Sequence, residues 1–130
     1  IAALHARGFS IAIETNGTRQ APPGVDWICV SPKANAECVL QRGDELKLVY
    51  PQIGAEPERF AQLAFRHFFL QPMDGPQRAL NTQLATEYVC STRNGGSDEA
   101  SFRVDGRAGA PPDRFNQNSN RIFYRDGDRL

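Results

Sequence analysis

The chain reads as an α/β fold built on a mostly parallel sheet. Two observations predict it. Short apolar, β-prone runs alternate with segments of helical spacing. Four of those runs also end in short polar motifs: Glu14-Thr15-Asn16-Gly17-Thr18, Ser31-Pro32-Lys33, Tyr50-Pro51-Gln52 and Gln71-Pro72-Met73-Asp74-Gly75-Pro76. Right-handed crossovers bring the carboxyl ends of parallel strands to one edge. Ligands bind at that edge in folds of this kind. The four motifs are therefore expected to form one composite site.

The elements follow in order. Residues 1–7 have helical character, with Gly8 as the stop. Phe9-Ser10-Ile11-Ala12-Ile13 alternates and predicts a strand, closed by the Asn16-Gly17 turn signal. Pro22-Pro23-Gly24 marks a second turn. Trp27-Ile28-Cys29-Val30 is continuously apolar, as expected of a buried parallel strand, and Pro32 ends it. Residues 34–43 are mixed and predict a loop. Glu45–Tyr50 is the next strand, closed by Pro51. Pro57 suits a first helical turn, and Phe60, Leu63, Ala64 and Phe68 have helical spacing, which predicts a helix over 57–66. Phe68-Phe69-Leu70 reads as a strand, and residues 76–90 as a helix with Leu80, Leu84 and Tyr88 facing the core.

Composition narrows the function classes. The 130 residues suffice for one domain, and 15 basic residues balance 15 acidic ones. That balance argues against a nucleic-acid or membrane partner. No long apolar run or secretory pattern occurs, so a cytoplasmic protein is expected. Cys29, Cys38 and Cys90 are odd in number and form no Cys-x-x-Cys pair, so reduced thiols are expected, and no metal site from these three alone. His5 and His67 lack a partner at ligand spacing and are expected to be structural or solvent-facing. The first residues read as an uncapped helix, which suggests that the chain begins within a larger domain.

The tail departs from this pattern. Across residues 91–130, Leu, Ile, Val and Phe number six of 40, below the one-in-five level under which chains tend not to fold. A disordered or poorly packed tail is expected there.

The motifs carry a family resemblance. Gly8–Thr18, Asp26–Lys33, Gly43–Gln52 and Phe69–Pro76, followed by Asn81-Thr82, together resemble the middle of bacterial 7-carboxy-7-deazaguanine synthases. The resemblance covers about residues 1–90. It implies the C-terminal portion of a partial (β/α) barrel of the radical S-adenosylmethionine type. The implied reaction contracts the ring of 6-carboxy-5,6,7,8-tetrahydropterin to 7-carboxy-7-deazaguanine with loss of ammonia, on the route to queuosine in tRNA. The implied cofactors are S-adenosyl-L-methionine, a 4Fe-4S cluster and Mg2+. A pterin is the implied small-molecule partner, and a homodimer is compatible with the family.

Carried over by position, Ser31, Pro32 and Lys33 match one S-adenosylmethionine-contacting stretch. Gln71, Pro72, Met73 and Asp74 match a second. Glu14 and Asn16 lie where radical enzymes of this type often touch the same ligand, although a turn-stabilising role for Glu14 is an equal reading. Lys33 suits the ligand carboxylate, and Asp74 or Glu14 its ammonium or a hydroxyl. No catalytic residue and no metal ligand is assigned within the chain.

Two family features are missing from this sequence. The Cys-x-x-x-Cys-x-x-Cys loop that holds the cluster is absent, and the three cysteines present cannot replace it. The final strand of the family is also absent, and a frame shift near Val89–Cys90 is the hypothesis for its replacement, to be tested by resequencing. Catalytic inactivity of the chain by itself follows as an expectation. A non-catalytic defective fragment and an unrelated α/β nucleotide-binding module stay open as alternatives.

Overall fold

The computed structural model describes residues 1–93, 100–105 and 121–125. Its elements are a short helix α1 (Ala2–His5), strands β1 (Ser10–Thr15), β2 (Trp27–Val30), β3 (Arg42–Tyr50) and β4 (Ala64–Pro72), helix α2 (Arg78–Arg93), and strands β5 (Phe102–Val104) and β6 (Arg121–Arg125). They form one sheet in the order β5-β4-β3-β2-β1-β6. Each strand pairing among the described residues is parallel. The α/β class and the parallel sheet expected from the sequence are both present.

Each strand has a local cause. The β-branched and aromatic runs at Ile11–Ile13 and Trp27–Val30 suit a pleated surface. Carboxylates then fix their starts. Asp26 accepts the Ile11 N–H at 2.7 Å and lies 2.8 Å from His5 Nε2, which ties α1 to the first two strands. Asp44 accepts the Ile28 N–H at 2.9 Å and pairs with Arg66 at 3.3 Å, joining β2, β3 and β4. The β1 ladder continues past its last residue, since the Ser31 N–H donates to the Thr15 carbonyl at 2.7 Å.

One face of the sheet holds the main core. Val30, Leu46, Leu48, Leu70 and Phe102 are buried there with Phe68, and α2 covers them through Ala85 and Val89. A fully buried Leu or Val contributes about 1.5–3 kcal/mol of transfer free energy, so these side chains supply much of the driving force. The Phe102 ring lies 5.2 Å from Phe68 and 6.1 Å from Tyr88, both centroid to centroid.

Two expectations need correction. Residues 57–66 do not form a helix: Pro57–Arg59 makes one 3-10 turn, and β4 begins at Ala64. The helical spacing of Phe60, Leu63 and Ala64 is overridden by pairing with β3, which runs from Arg42↔Ala64 to Tyr50↔Pro72. The predicted core stripe of α2 is also displaced. Leu80 is 49% exposed, while Asn81, Ala85 and Val89 are buried and Leu84 and Tyr88 half-buried. The buried side of the helix carries Asn81, whose side chain bonds the Met73 carbonyl after β4, together with Ala85 and Val89.

Most of the tail, residues 94–99, 106–120 and 126–130, lies outside the described residues, and so does the expectation of disorder placed on them. Within the tail, Phe102–Val104 pairs with β4 and Arg121–Arg125 with β1.

Candidate functional site

The parallel register gathers the strand-end motifs on one rim. β1 ends at Thr15, β2 at Val30, β3 at Tyr50 and β4 at Pro72, so Asn16, Ser31–Lys33, Pro51-Gln52 and Met73-Asp74 all follow carboxyl ends. Strands β3 and β4 end level with each other, since Tyr50 pairs with Pro72. The Met73 N–H donates to the Tyr50 carbonyl at 2.7 Å and links the last two rim segments.

Local bonds shape each segment. Asn16 Oδ1 accepts from the Thr18 N–H at 3.0 Å and from Thr18 Oγ1 at 2.7 Å, closing a turn. Gly17 takes φ +79°, and a Cβ there would lie 2.6 Å from Val30 Cγ1. The Gly17 carbonyl accepts N–H groups from both Val39 and Leu40. Ser31 and Pro32 are buried, whereas Lys33 is exposed with its Nζ 3.3 Å from Ser31 Oγ. Asn81 Nδ2 on α2 donates to the Met73 carbonyl at 2.9 Å and holds the fourth segment. Asp74 has a 79% exposed side chain and sits 4.0 Å from Arg78 Nη1.

Beneath the rim lies a polar row that the sequence reading missed. Glu14 pairs with Cys29, Cys29 with Glu45, and Glu45 with His67 in the ladders. Partners in adjacent parallel strands share a face, so these four side chains stand on the face opposite the Leu46–Leu48 core. Lys47 belongs to the same face and places its Nζ 3.0 Å from Glu14 Oε1. His67 stacks on Trp27 with ring centroids 5.9 Å apart. Glu14 thus pairs with Lys47 across the sheet, which goes beyond the turn-stabilising alternative.

The row is largely withdrawn from water. Glu45 is 3% exposed and Lys47 5%. Burial pushes the Glu45 carboxyl above its ordinary range, partly offset by Lys47 and by the Cys29 thiol. Lys47 is held above its usual value: burial opposes its charge, but the neighbouring carboxylates Glu14 and Glu45 outweigh it. Burial likewise raises the Cys29 thiol well above its ordinary value, so it is a neutral thiol. Two buried acceptors have no hydrogen-bond partner among the described residues: Glu45 Oε2 in the row and Gln52 Oε1 at the rim. The sequence did carry a signal for the row. Charges alternating along a strand whose neighbours are all parallel are unusual, because such sheets are covered on both faces.

These residues suit an amino-acid–nucleoside ligand. Lys33 can pair with a carboxylate, the orphaned Gln52 and Glu45 oxygens can accept N–H groups, and half-buried Met73 offers an apolar wall. They do not suit an iron–sulfur cluster. Cys29 is buried beside Glu45, Cys38 donates to the Leu40 carbonyl at 3.2 Å, and Cys90 is exposed on α2. Among the described residues no group of three His, Cys, Asp or Glu is placed to hold a metal ion. Among them, too, no helix is long and apolar enough to cross a membrane.

Fold and rim define an α/β protein with a parallel sheet and a polar mouth at the strand carboxyl ends. No protein-family model matches the chain. Individual proteins do. It is 69% identical over 91 residues to the 7-carboxy-7-deazaguanine synthase of Caulobacter vibrioides, covering 70% of this chain and 43% of that protein. It is 66% identical over 86 residues to that of Bordetella pertussis, covering 66% of this chain and 41% of that protein. It is also 66% identical over 88 residues to that of Bradyrhizobium diazoefficiens, covering 68% and 42%. The N-terminal two thirds of the chain are thus homologous to part of the 7-carboxy-7-deazaguanine synthases. The chain spans less than half the length of these curated relatives.

Proposed function

We propose that this chain carries part of the S-adenosylmethionine site of a 7-carboxy-7-deazaguanine synthase, set in a radical-type partial (β/α) barrel. The observation that carries the reading is the convergence of Asn16, Ser31–Lys33 and Gln71–Asp74 on one rim, with Glu14 in the row just beneath it, within a stretch homologous to those enzymes.

In this reading Lys33 holds the ligand carboxylate. Ser31 orients Lys33 through their mutual contact. Pro32 and Pro72 stiffen the loop starts, and Met73 lines the adenine face. Gln71 and Asp74 offer hydrogen-bonding groups to the ribose or amine. The assembled enzyme would be a lyase that contracts the ring of 6-carboxy-5,6,7,8-tetrahydropterin in queuosine biosynthesis. The resemblance also implies an iron–sulfur cluster, which would supply reducing electrons, and Mg2+, which would supply a divalent charge. The residues here do not fit either group, so no step of this chain's chemistry runs through them. The chain alone is expected to bind S-adenosylmethionine and not to turn over substrate.

Thermal unfolding of the full chain with and without S-adenosylmethionine tests the site. A cooperative transition raised by the ligand, and a smaller rise in Lys33→Ala, is the expected result. No rise at millimolar ligand would overturn the reading.

A further inference from the structure

We infer that Glu56 and Arg59 are positioning residues that set the span between two halves of the rim, Ser31–Lys33 and Gln71–Asp74. This rests on the proposed S-adenosylmethionine site and adds what holds its two halves at a fixed separation.

The third strand-end segment lies between those halves, since β3 runs between β2 and β4. It is tied to one half by the bond from the Met73 N–H to the Tyr50 carbonyl. It meets the other half through two tight turns. In the first, the Ala36 N–H donates to the Lys33 carbonyl at 3.3 Å, with Asn35 at φ +62°. In the second, the Ala55 N–H donates to the Gln52 carbonyl at 3.1 Å, with Gly54 at φ +83°. Each has its positive φ at the third position, as a type II turn does. The turns lie close together: a Cβ at Gly54 would stand 3.5 Å from both Ala34 Cβ and Asn35 Oδ1. The placement of Lys33 therefore depends on where the Gly54 turn sits.

Burial fixes only the base of that turn. Ala55 and Pro57 are buried, but Ile53 at the apex is 94% exposed, so its side chain does nothing to hold the tip. Two other side chains hold it. The Gly54 N–H donates to Glu56 Oε1 at 2.8 Å, and Arg59 Nη1 donates to the Gly54 carbonyl. Both backbone polar groups of Gly54 are thereby engaged. Arg59 is itself anchored, 4.0 Å from Glu56 Oε2 and with its guanidinium 5.7 Å from the centre of the Phe60 ring. The Gly54 N–H also holds the Glu56 carboxyl below its ordinary range, which keeps it an acceptor at neutral pH.

A ligand that spans both halves gains from each contact only when their separation matches its own length. S-adenosylmethionine does so in the proposed site, with its carboxylate on Lys33 and its adenine on Met73. A ligand confined to one half is indifferent to the separation.

Calorimetric titration of the full chain tests this with two probes. S-adenosylmethionine spans both halves, and 5′-methylthioadenosine lacks the amino-acid arm. Glu56→Ala is expected to weaken S-adenosylmethionine about fivefold, the equivalent of one net hydrogen bond, and to leave 5′-methylthioadenosine within about twofold. Glu56→Gln keeps an acceptor for the Gly54 N–H and should restore most of the affinity. Arg59→Ala removes the tie to the carbonyl and should reproduce the split, and it replaces Glu56→Ala if that variant does not fold. Equal weakening of both probes, or an unchanged affinity for S-adenosylmethionine in both alanine variants, would overturn the inference and leave the binding site standing. Binding of neither probe by the wild type would remove both. If the wild type binds S-adenosylmethionine alone, amide exchange measured by NMR decides. The Ala36 and Gly54 amides should both exchange faster in the alanine variants, and an unchanged Ala36 rate would overturn the inference.

Discussion

Lys47 Nζ reaches Glu14 Oε1 at 3.0 Å across the width of an intervening strand. Glu14 stands on β1 and Lys47 on β3, so the pair bridges over β2. Removing one member leaves carboxylates without their cation in a dry setting. Lys47→Met, which keeps the aliphatic stem, is expected to lower stability by about 3 kcal/mol. The double variant Lys47→Met, Glu14→Gln should regain part of that loss. Urea unfolding of the four proteins in the cycle checks it, and a coupling near zero would show that the pair is solvated.

Acid and base should act on two carboxylates in opposite senses. The Glu45 carboxyl titrates above its ordinary 4.5 because of burial. The native state then holds that proton more tightly than the unfolded chain, so stability falls as pH rises from 4.5 through the raised native value. Asp26 is held below its ordinary 3.8, chiefly by the Ile11 N–H and then by His5. Its contribution is present above 3.8 and is lost as pH falls through the native value. Glu45→Gln should flatten the first slope and Asp26→Asn the second. Unfolding free energies measured across a pH series give both slopes directly.

Phe102 offers a test of how the tail joins the fold. Its side chain is 2% exposed and packs on Phe68 and Tyr88. Phe102→Ala is expected to cost about 3 kcal/mol, as for other buried aromatic truncations. If the change is neutral in denaturant unfolding, β5 is not part of the cooperative unit.

Asn81 joins the helix to the rim. Asn81→Ala leaves the Met73 carbonyl without its 2.9 Å partner and is expected to cost about 1–2 kcal/mol. The shift in melting temperature caused by S-adenosylmethionine should shrink as well. Stability reduced with an unchanged ligand shift would confine Asn81 to a packing role.

The legible parts of this fold were those with one local cause. Trp27–Val30 reads as a strand because it is apolar throughout and Pro32 stops it. The rim was legible because prolines and polar residues cluster where strands end. The 57–66 segment is ambiguous in sequence, because Phe60, Leu63 and Ala64 satisfy helical spacing while Phe65, Phe68 and Leu70 are what β4 buries. Only pairing with β3, a non-local effect, decides between them. The burial of Glu45 and Lys47 is not legible in the sequence, because charges alternating with Leu46 and Leu48 ordinarily mark a solvated face. Their burial depends on Glu14 and Cys29 arriving from two other strands.

Gly17 ties three segments of the mouth together at one backbone position. Its carbonyl takes the N–H groups of Val39 and Leu40, and its bare Cα faces the Val30 methyl group. The aperture between the first and second rim segments is therefore gauged by a missing methyl. Any side chain at this position would wedge the loop after β1 away from the end of β2, and Ser31 and Lys33 would part from Glu14 without any of them being altered.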